Sequence, residues 1–420
     1  MNILWLKTEL LHPVDKGGKI RTYNMLKELK RDHRIIYLTL DDGATARSVA
    51  AAEEYCHELI RIPHLTRRKF TAGFYSDLLL NAASTLPYAI AKYKSSEMRN
   101  RINERISNGD VEVLVCDFLT PAVNLDFRFD CPTILFQHNV EAMIWKRHYQ
   151  VQANRLKRTY LLTQWLKMRS FERALCRNFD SVVAVSAEDR DQMRKEYGLS
   201  NVFDVPTGVD TEFFKPSGAA VRDPMNLVFT GSMDWLPNED GIRHFVDEIL
   251  PLVRKELPRV TLTVVGRNPS TRLNELAKKD SSIVVTGRVD DVRPYMERAA
   301  AYVVPLRIGG GTRLKIYEAM AMEKPVVSTG VGAEGLPLND GVDLLLADDP
   351  ETFATAIVTL LKDPQLATCI GANGARTVRE RFGWQQVANV FSDICRETLQ
   401  KDQRRTNELP SNQRLAYGEE

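Results

Sequence analysis

The chain has no paired cysteines, no long apolar run and no P-loop, and each absence narrows what it can be. Its six cysteines, Cys56, Cys116, Cys131, Cys176, Cys369 and Cys395, never stand as C-x-x-C and mostly fall in apolar runs. That excludes a disulfide framework and suits buried, reduced thiols in a cytosolic protein. The opening MNILWLKTEL is interrupted by Lys7 and Glu9, too early for a signal peptide. No apolar stretch reaches the roughly 18 residues that a membrane-spanning helix needs. The nearest candidate, TAGFYSDLLLNAASTLPYAIA, is broken by Asp77, Asn81 and Pro87. It reads as core helices, with a place on a membrane surface as the other use. The glycines after the first strand, Gly17 and Gly18, do not stand as G-x-G-x-x-G and give no nicotinamide-binding fingerprint, and the chain has no P-loop. The one D-x-D, Asp189 with Asp191 in AEDRDQMRKEY, reads as a solvated helix, so no metal site is expected.

With 420 residues, 44% hydrophobic and 27% charged, the chain is an ordinary soluble globular protein too long for one core. Two domains of roughly 200 residues each are expected. Charge is uneven between them. Residues 1–205 hold 31 Lys+Arg against 25 Asp+Glu, a net of +6; the remainder holds 26 against 30, a net of −4. Arg61 to Lys69 carries four cations and no acid, and Lys146 to Arg177 carries nine cations against Glu172 alone. Such a basic face serves either as a solvated helix surface or as contact with anionic lipid or an acidic substrate. Nucleic acid is not an expected partner.

Short β-branched runs alternate with helical patterns. In the first half these are NILWLK, RIIYLTL, ELIRIP, VEVLVCD, TILFQHN, SVVAVS and NVFDVP; in the second, NLVFTG, VTLTVVG, IVVTG, AYVVPL, PVVST and DLLLAD. The longest helical stretch between them runs from about Glu141 to Arg177. Continuous apolar strands separated by helices predict parallel sheets covered on both faces, an α/β fold of two doubly wound Rossmann-like domains facing a cleft. The expected boundaries are 1–205 for the first domain, 206–224 for a linker and 225–380 for the second domain. A helix over 381–400 and a disordered tail over 401–420 complete the chain.

In such sheets ligands bind beyond the carboxyl ends of the strands. Gly17 and Gly18 follow the first strand and serve either as a turn or as a close approach for a ligand. His138 follows TILFQHN, where a lone histidine is as readily structural as functional. In the second half Gly231 lies in TGSMDWLPNEDG, Gly266 and Arg267 in VVGRNP, and the run PLRIGGGTRLKIYEAM follows a further strand. That run opens a helix with Arg313 and Lys315, where the helix dipole favours acids. As helix positions, Gly311, Lys315 and Glu318 share one face. A plain surface pair of Lys315 and Glu318 leaves Arg313 unexplained. An anion explains the parts together: Gly309, Gly310, Gly311 and Thr312 let main-chain amides close in, while Arg313 and Lys315 supply charge. A diphosphate suits that site, and Glu318 is placed to accept two hydroxyls of a ribose.

The run PLRIGGGTRLKIYEAMAMEKPVVSTGVGAEG resembles the donor-binding segment of the retaining glycosyltransferases of family four, with the GT-B fold. Its GGGTRLK form is similar to that of bacterial polysaccharide-assembly members. DKGGKIRTYNML, VPTGVDTEFFKP, VTGRVDDV, GLPLNDGVDLLLADDPE and RERFGWQQVANVF extend the resemblance over roughly residues 1–400. It implies an acceptor-binding first domain, a nucleotide-sugar-binding second domain, and a last helix that crosses back to the first. It implies that Glu318 binds the donor ribose and that Gly17 and Gly18 lie near the donor phosphates. It further places His138 close to the transferred sugar, with Glu334 and Gly335 in a loop near the diphosphate. Three positions depart from the family pattern: Gly310 stands where a second Glu is usual, Ser232 and Asp240 where Arg and Lys are usual, and Thr207 where Asn is usual. Arg313 and Lys315, with Arg267, are expected to replace the missing cations.

The expected function is transfer of a hexosyl unit from an NDP-sugar to a hydroxyl of a glycan or lipid-linked acceptor, with retention, in cell-surface polysaccharide or glycoconjugate synthesis. His138, Arg313 and Lys315 are the catalytic candidates. No obligatory cofactor is expected, and the place is the cytoplasm, with peripheral contact at the inner membrane face through the first domain. The alternatives are a non-catalytic nucleotide-sugar-binding subunit and a GT-B nucleotide-sugar epimerase.

Overall fold

The computed structural model describes residues 1–67, 70–128, 130–152, 154–308 and 314–408. Gly309, Gly310, Gly311, Thr312 and Arg313 lie outside the described residues. The chain divides into two compact units: Met1–Pro206 together with the chain from Val387 onward, and Thr207–Gln386.

The first unit holds seven strands: β1 Asn2–Lys7, β2 Arg34–Asp41, β3 Glu58–Pro63, β4 Val113–Asp117, β5 Thr133–Phe136, β6 Ser181–Ala184 and β7 Val202–Asp204. They form one sheet in the order β3-β2-β1-β4-β5-β6-β7, every pair parallel. The second holds β8 Asn226–Thr230, β9 Thr261–Val265, β10 Ile283–Val285, β11 Ala301–Val304, β12 Val326–Ser328 and β13 Leu345–Leu346. Their order is β10-β9-β8-β11-β12-β13, again parallel. All five residues of β4 and of β8 are buried. Burial on both faces is why these runs read as continuously apolar instead of alternating. Two doubly wound α/β units are thus what the sequence pattern predicts.

The helices depart from expectation in three places. The stretch 141–177 is two helices, Glu141–Val151 and Arg155–Cys176, because Asn154 caps the second by accepting from the Lys157 amide at 3.1 Å. The last helix runs Trp384–Glu408, so eight residues (401–408) assigned from sequence to a disordered tail are helical. Most consequential, the Ala72–Ala82 helix is not core: Asn81 is its sole buried residue, and Leu79 and Leu80 stand 77% and 75% exposed. An apolar run of this length reads alike whether it is buried or not, so its sequence had no means of telling the two apart.

The segment over 207–224 packs on the second unit. The Val209 amide donates to Phe382 O at 2.8 Å, and the Arg293 guanidinium lies 3.8 Å over the Phe213 ring. The closing helix belongs with the first unit from Val387, where Phe391 packs on Trp5 (5.5 Å) and Phe136 (5.2 Å). Ser392 Oγ meets His33 Nε2 at 2.7 Å, and Thr398 Oγ1 meets Ser181 Oγ at 2.8 Å. Five cysteines are buried and Cys369 is exposed, all of them free. Asp189 is half-buried, and burial raises its pKa, so it is less solvated than its polar surroundings suggested. Among the described residues, no helix is long and apolar enough to cross a membrane.

Candidate active site

In each sheet the strand order changes direction at one point, between β1 and β4 in the first and between β8 and β11 in the second. Ligands of doubly wound sheets sit outside the carboxyl ends of the strands at such a point. Both points carry charged groups.

In the first unit β1 ends on Lys7 and β4 on Asp117, their side chains 3% and 0% exposed and 2.8 Å apart. Three donors converge on Asp117 Oδ2: Lys7 Nζ, Thr22 Oγ1 at 2.7 Å and Trp5 Nε1 at 2.9 Å. Thr22 Oγ1 in turn accepts from Lys7 Nζ at 2.9 Å. Asp117 Oδ1 faces His138 Nε2 at 2.8 Å. Phe118, held in the left-handed region at φ 73°, stacks on the His138 ring at 3.9 Å. Such a backbone is strained for a phenylalanine and persists where the surroundings demand it. Gly18 makes the room: a Cβ there would lie 2.9 Å from Phe118 Cζ and 3.8 Å from His138 Nδ1. Gly17 is open instead, with nothing near its missing Cβ. The Gly17–Leu29 helix it opens has no side-chain cap and no acid in its first turn.

Electrostatics follow from this packing. Burial pushes the His138 pKa down to about 3, outweighing Asp117, so the imidazole is neutral at physiological pH. Burial alone would raise Asp117, yet Lys7 and His138 hold it below the usual carboxylate range. Burial lowers Lys7 despite its partner.

The loop carrying His138 is anchored from below. Glu172, fully buried, accepts from Gln137 Nε2 (2.8 Å), the Glu141 amide (2.9 Å), the Ala142 amide (2.9 Å) and Tyr197 Oη (2.7 Å). Its carboxylate therefore satisfies the first amides of the Glu141–Val151 helix, which has no N-cap side chain of its own.

In the second unit Lys315 and Glu318 lie one turn apart on the Leu314–Ala321 helix. Lys315 Nζ donates to Asn238 Oδ1 at 2.7 Å and sits 4.1 Å over the Phe229 ring. Gly231, just past β8, leaves the slot for it: a Cβ there would lie 2.7 Å from both Lys315 Nζ and Asn238 Nδ2. A Cβ at Gly266 would overlap the Gly231 carbonyl oxygen, so two loops meet only because both residues are glycine. Arg267 Nε donates to Ser232 Oγ at 2.7 Å and lies 3.8 Å from Asp234 Oδ2, its side chain well exposed. Glu318 is partly buried, and burial pushes its pKa up to about 7 against the pull of Lys315. Glu334 is exposed on the loop after β12.

The structure thus gathers Gly231, Gly266, Arg267, Lys315 and Glu318 around the carboxyl ends of β8, β9 and β11, and Gly18 with His138 around those of β1, β4 and β5. Several participants were missed from sequence. Lys7 and Asp117 each end an apolar run with a charge, a signal that was available. Asn238 gave none. Arg307, just past β11, binds Asp240 through Nε (3.1 Å) and Nη2 (2.8 Å). The acid standing where a cation is usual is therefore matched by a cation from the neighbouring strand end. Thr207 is buried.

Two family models match the chain. The one described as Glycosyltransferase Family 4 takes in residues 16–213, and the one described as Glycosyl transferases group 1 takes in residues 224–363. An uncharacterised 44.6 kDa protein in the cps region of Klebsiella pneumoniae is 22% identical over 94% of this chain and 99% of its own length. Among solved structures, the sucrose-phosphate synthase of Thermosynechococcus elongatus aligns at TM-score 0.65 and 18% identity, covering 94% of this chain and 98% of that one. Anabaena Alr3699/HepE, solved in complex with UDP and glucose, aligns at TM-score 0.59 and 14% identity, covering 93% and 98%. By these two matches and this architecture, the chain belongs to the family-four glycosyltransferases and has the GT-B fold.

Proposed function

We propose that this chain transfers a hexosyl unit from a nucleoside-diphosphate sugar to a hydroxyl of a glycan or lipid-linked acceptor, with retention at the anomeric carbon. The observation that carries the reading is the pairing of Lys315 with Glu318 on one helix at the β8–β11 switch point. A cation and a carboxylate one turn apart match a diphosphate and the ribose diol attached to it. Arg313 and the amides of Gly309–Thr312 are assigned to the same diphosphate, as are Arg267 and Glu334 at its edge. The Anabaena structure holding UDP and glucose supports a nucleotide-sugar donor, and the Klebsiella relative's place in a cps region supports polysaccharide assembly.

In the reaction the bond from C1 to the phosphate oxygen breaks and the acceptor oxygen bonds to C1. The acceptor proton passes to the departing phosphate oxygen on the same face, so no side chain serves as general base. Negative charge grows on the diphosphate in the transition state, where Lys315 and Arg313 stabilise it. The neutral His138, fixed by Asp117 and Phe118, orients the transferred sugar and takes no proton. No cofactor or metal is assigned.

The test is to incubate the chain with UDP-, GDP-, ADP- and TDP-sugars, with and without glycan acceptors, and to follow the sugar by NMR. Acceptor-dependent release of the nucleoside diphosphate with an unchanged anomer supports the proposal. Turnover to a new sugar without acceptor, or binding with no turnover, overturns it in favour of an epimerase or a binding subunit. Donor affinity also carries a pH signature. Glu318 accepts both ribose hydroxyls only when ionised, since protonation turns one of its oxygens into a donor, and burial pushes its pKa up to about 7. Between pH 8 and pH 6 the ionised fraction falls about tenfold, so donor binding should weaken on acidification by up to about tenfold. An NDP-sugar diester does not itself titrate there, and Glu318→Gln should flatten the profile.

A further inference from the structure

The Ala72–Ala82 helix presents its leucines to solvent, and the Arg155–Cys176 helix beside it presents cations. The two are fastened together. Gln164 Nε2 donates to Asn81 Oδ1 at 3.3 Å, Lys167 Nζ donates to Asn81 O at 2.7 Å, and Gln164 Oε1 accepts from the Tyr88 amide at 2.9 Å. Asn81, the one buried residue of the apolar helix, is thus its anchor, and Leu79 and Leu80 are left outside. Phe70 just before this helix and Tyr75 within it are exposed as well, as are Leu156 (85% exposed) and Tyr160 on the basic one. Apolar exposure gathered in this way marks an interaction site more than scattered single residues do.

Charge identifies the occupant. Arg155, Lys157 and Arg158 all stand exposed in the first turn of their helix, which holds no acid. The positive end of the helix dipole repels them, so an anion is their natural counterpart. The single acid among the nine cations of 146–177 is Glu172, which is fully buried and engaged with four donors. It softens nothing at the surface. In the apolar helix, Asp77 is covered by Arg67 at 3.3 Å. A second copy of the chain would bring two such cationic faces together, which like charges oppose.

We infer that this face is a docking surface for an anionic lipid bilayer: Leu79, Leu80 and Phe70 enter the headgroup boundary while Arg155, Lys157 and Arg158 meet lipid phosphates. Helices with an apolar side and a Lys/Arg-rich side lie in the membrane interface in this manner. The inference is independent of the donor site.

It is tested by vesicle flotation of the full chain, on phosphatidylcholine alone and with about 30% phosphatidylglycerol, a content that gives a negative surface potential. The chain should float with the anionic vesicles and not the neutral ones, and salt should release it. Leu79→Asp with Leu80→Asp should lower partitioning about tenfold or more. The triple change Arg155→Gln, Lys157→Gln, Arg158→Gln should lower it about tenfold or more and remove the salt dependence. All five positions are exposed, so thermal midpoints and donor binding should stay unchanged; if the leucine pair disturbs folding, the charge triple carries the test. No flotation, equal flotation on both vesicles, or leucine variants that float like the parent would overturn the inference. So would a concentration-dependent dimer abolished by the leucine pair without any vesicle binding, which would assign the face to a second copy.

Discussion

Lys315→Met should lower kcat/KM for the donor by about 10²- to 10³-fold, the loss typical of removing one stabiliser of transition-state charge. The thermal midpoint should move little. Lys315 Nζ occupies a slot between Asn238 Oδ1 and the Phe229 ring, and an unbranched apolar side chain of similar length fills the same space. What is lost to the fold includes the hydrogen bond to Asn238, worth about 1 kcal/mol, and the cation over the Phe229 ring, while the apolar packing is kept; what is lost to the reaction is the charge. Lys315→Arg should not rescue it. The Gly231 backbone is so close that a Cβ there would lie 2.7 Å from Nζ, leaving no width for a guanidinium. Steady-state kinetics with an NDP-sugar, alongside thermal unfolding, separate the two losses. An Arg variant with parental activity would mean that charge alone, not placement, is what matters.

Glu172→Ala should be the most damaging single change to the fold of the first unit, costing about 3–5 kcal/mol, because it removes a buried acceptor shared by four donors. Two of those donors are the first amides of the Glu141–Val151 helix, and a third is Gln137, next to His138. Activity should fall with stability, since the loop that fixes His138 loses its anchor. Tyr197→Phe removes one donor and leaves the carboxylate with three, so it should cost only about 1 kcal/mol. Glu172→Gln keeps the volume but turns an amide N–H₂ toward a donor, and should fall between the two. Urea unfolding of the series gives the order directly, and an alanine variant no weaker than Tyr197→Phe would refute it.

Much of the fold was legible because its strands are buried on both faces. Runs such as NILWLK and ELIRIP coincide with β1 and β3. Others overran their strands: TILFQHN reads on through Gln137, His138 and Asn139, while β5 stops at Phe136. The chain leaves the sheet there to be caught by Glu172, a partner far along the sequence that no local pattern reveals. The division into two helices, one ending at Val151 and the next starting at Arg155, escaped for a related reason, since helical periodicity continues through the sequence and the Asn154 cap marks the restart. Of the site, Lys315 and Glu318 were visible as two charges on one helix face after a glycine run. The Lys7–Asp117–His138 cluster was not, because β1 and β4 are neighbours in space and more than a hundred residues apart in the chain. Periodicity likewise found the Ala72–Ala82 helix but not its side. An apolar helix built to face lipid and one built to face a core obey the same spacing.

Calorimetric titration tests at once whether Lys315 holds the donor diphosphate and Glu318 its ribose. UDP, UMP and 2′,3′-dideoxy-UDP, or the matching series of whichever base binds, are titrated into the parent, Lys315→Met and Glu318→Ala proteins. The gain of the diphosphate over the monophosphate should largely disappear in Lys315→Met and survive in Glu318→Ala. The gain from the ribose hydroxyls should do the reverse. Gains that persist unchanged in both variants would show that the donor does not bind where Lys315 and Glu318 stand.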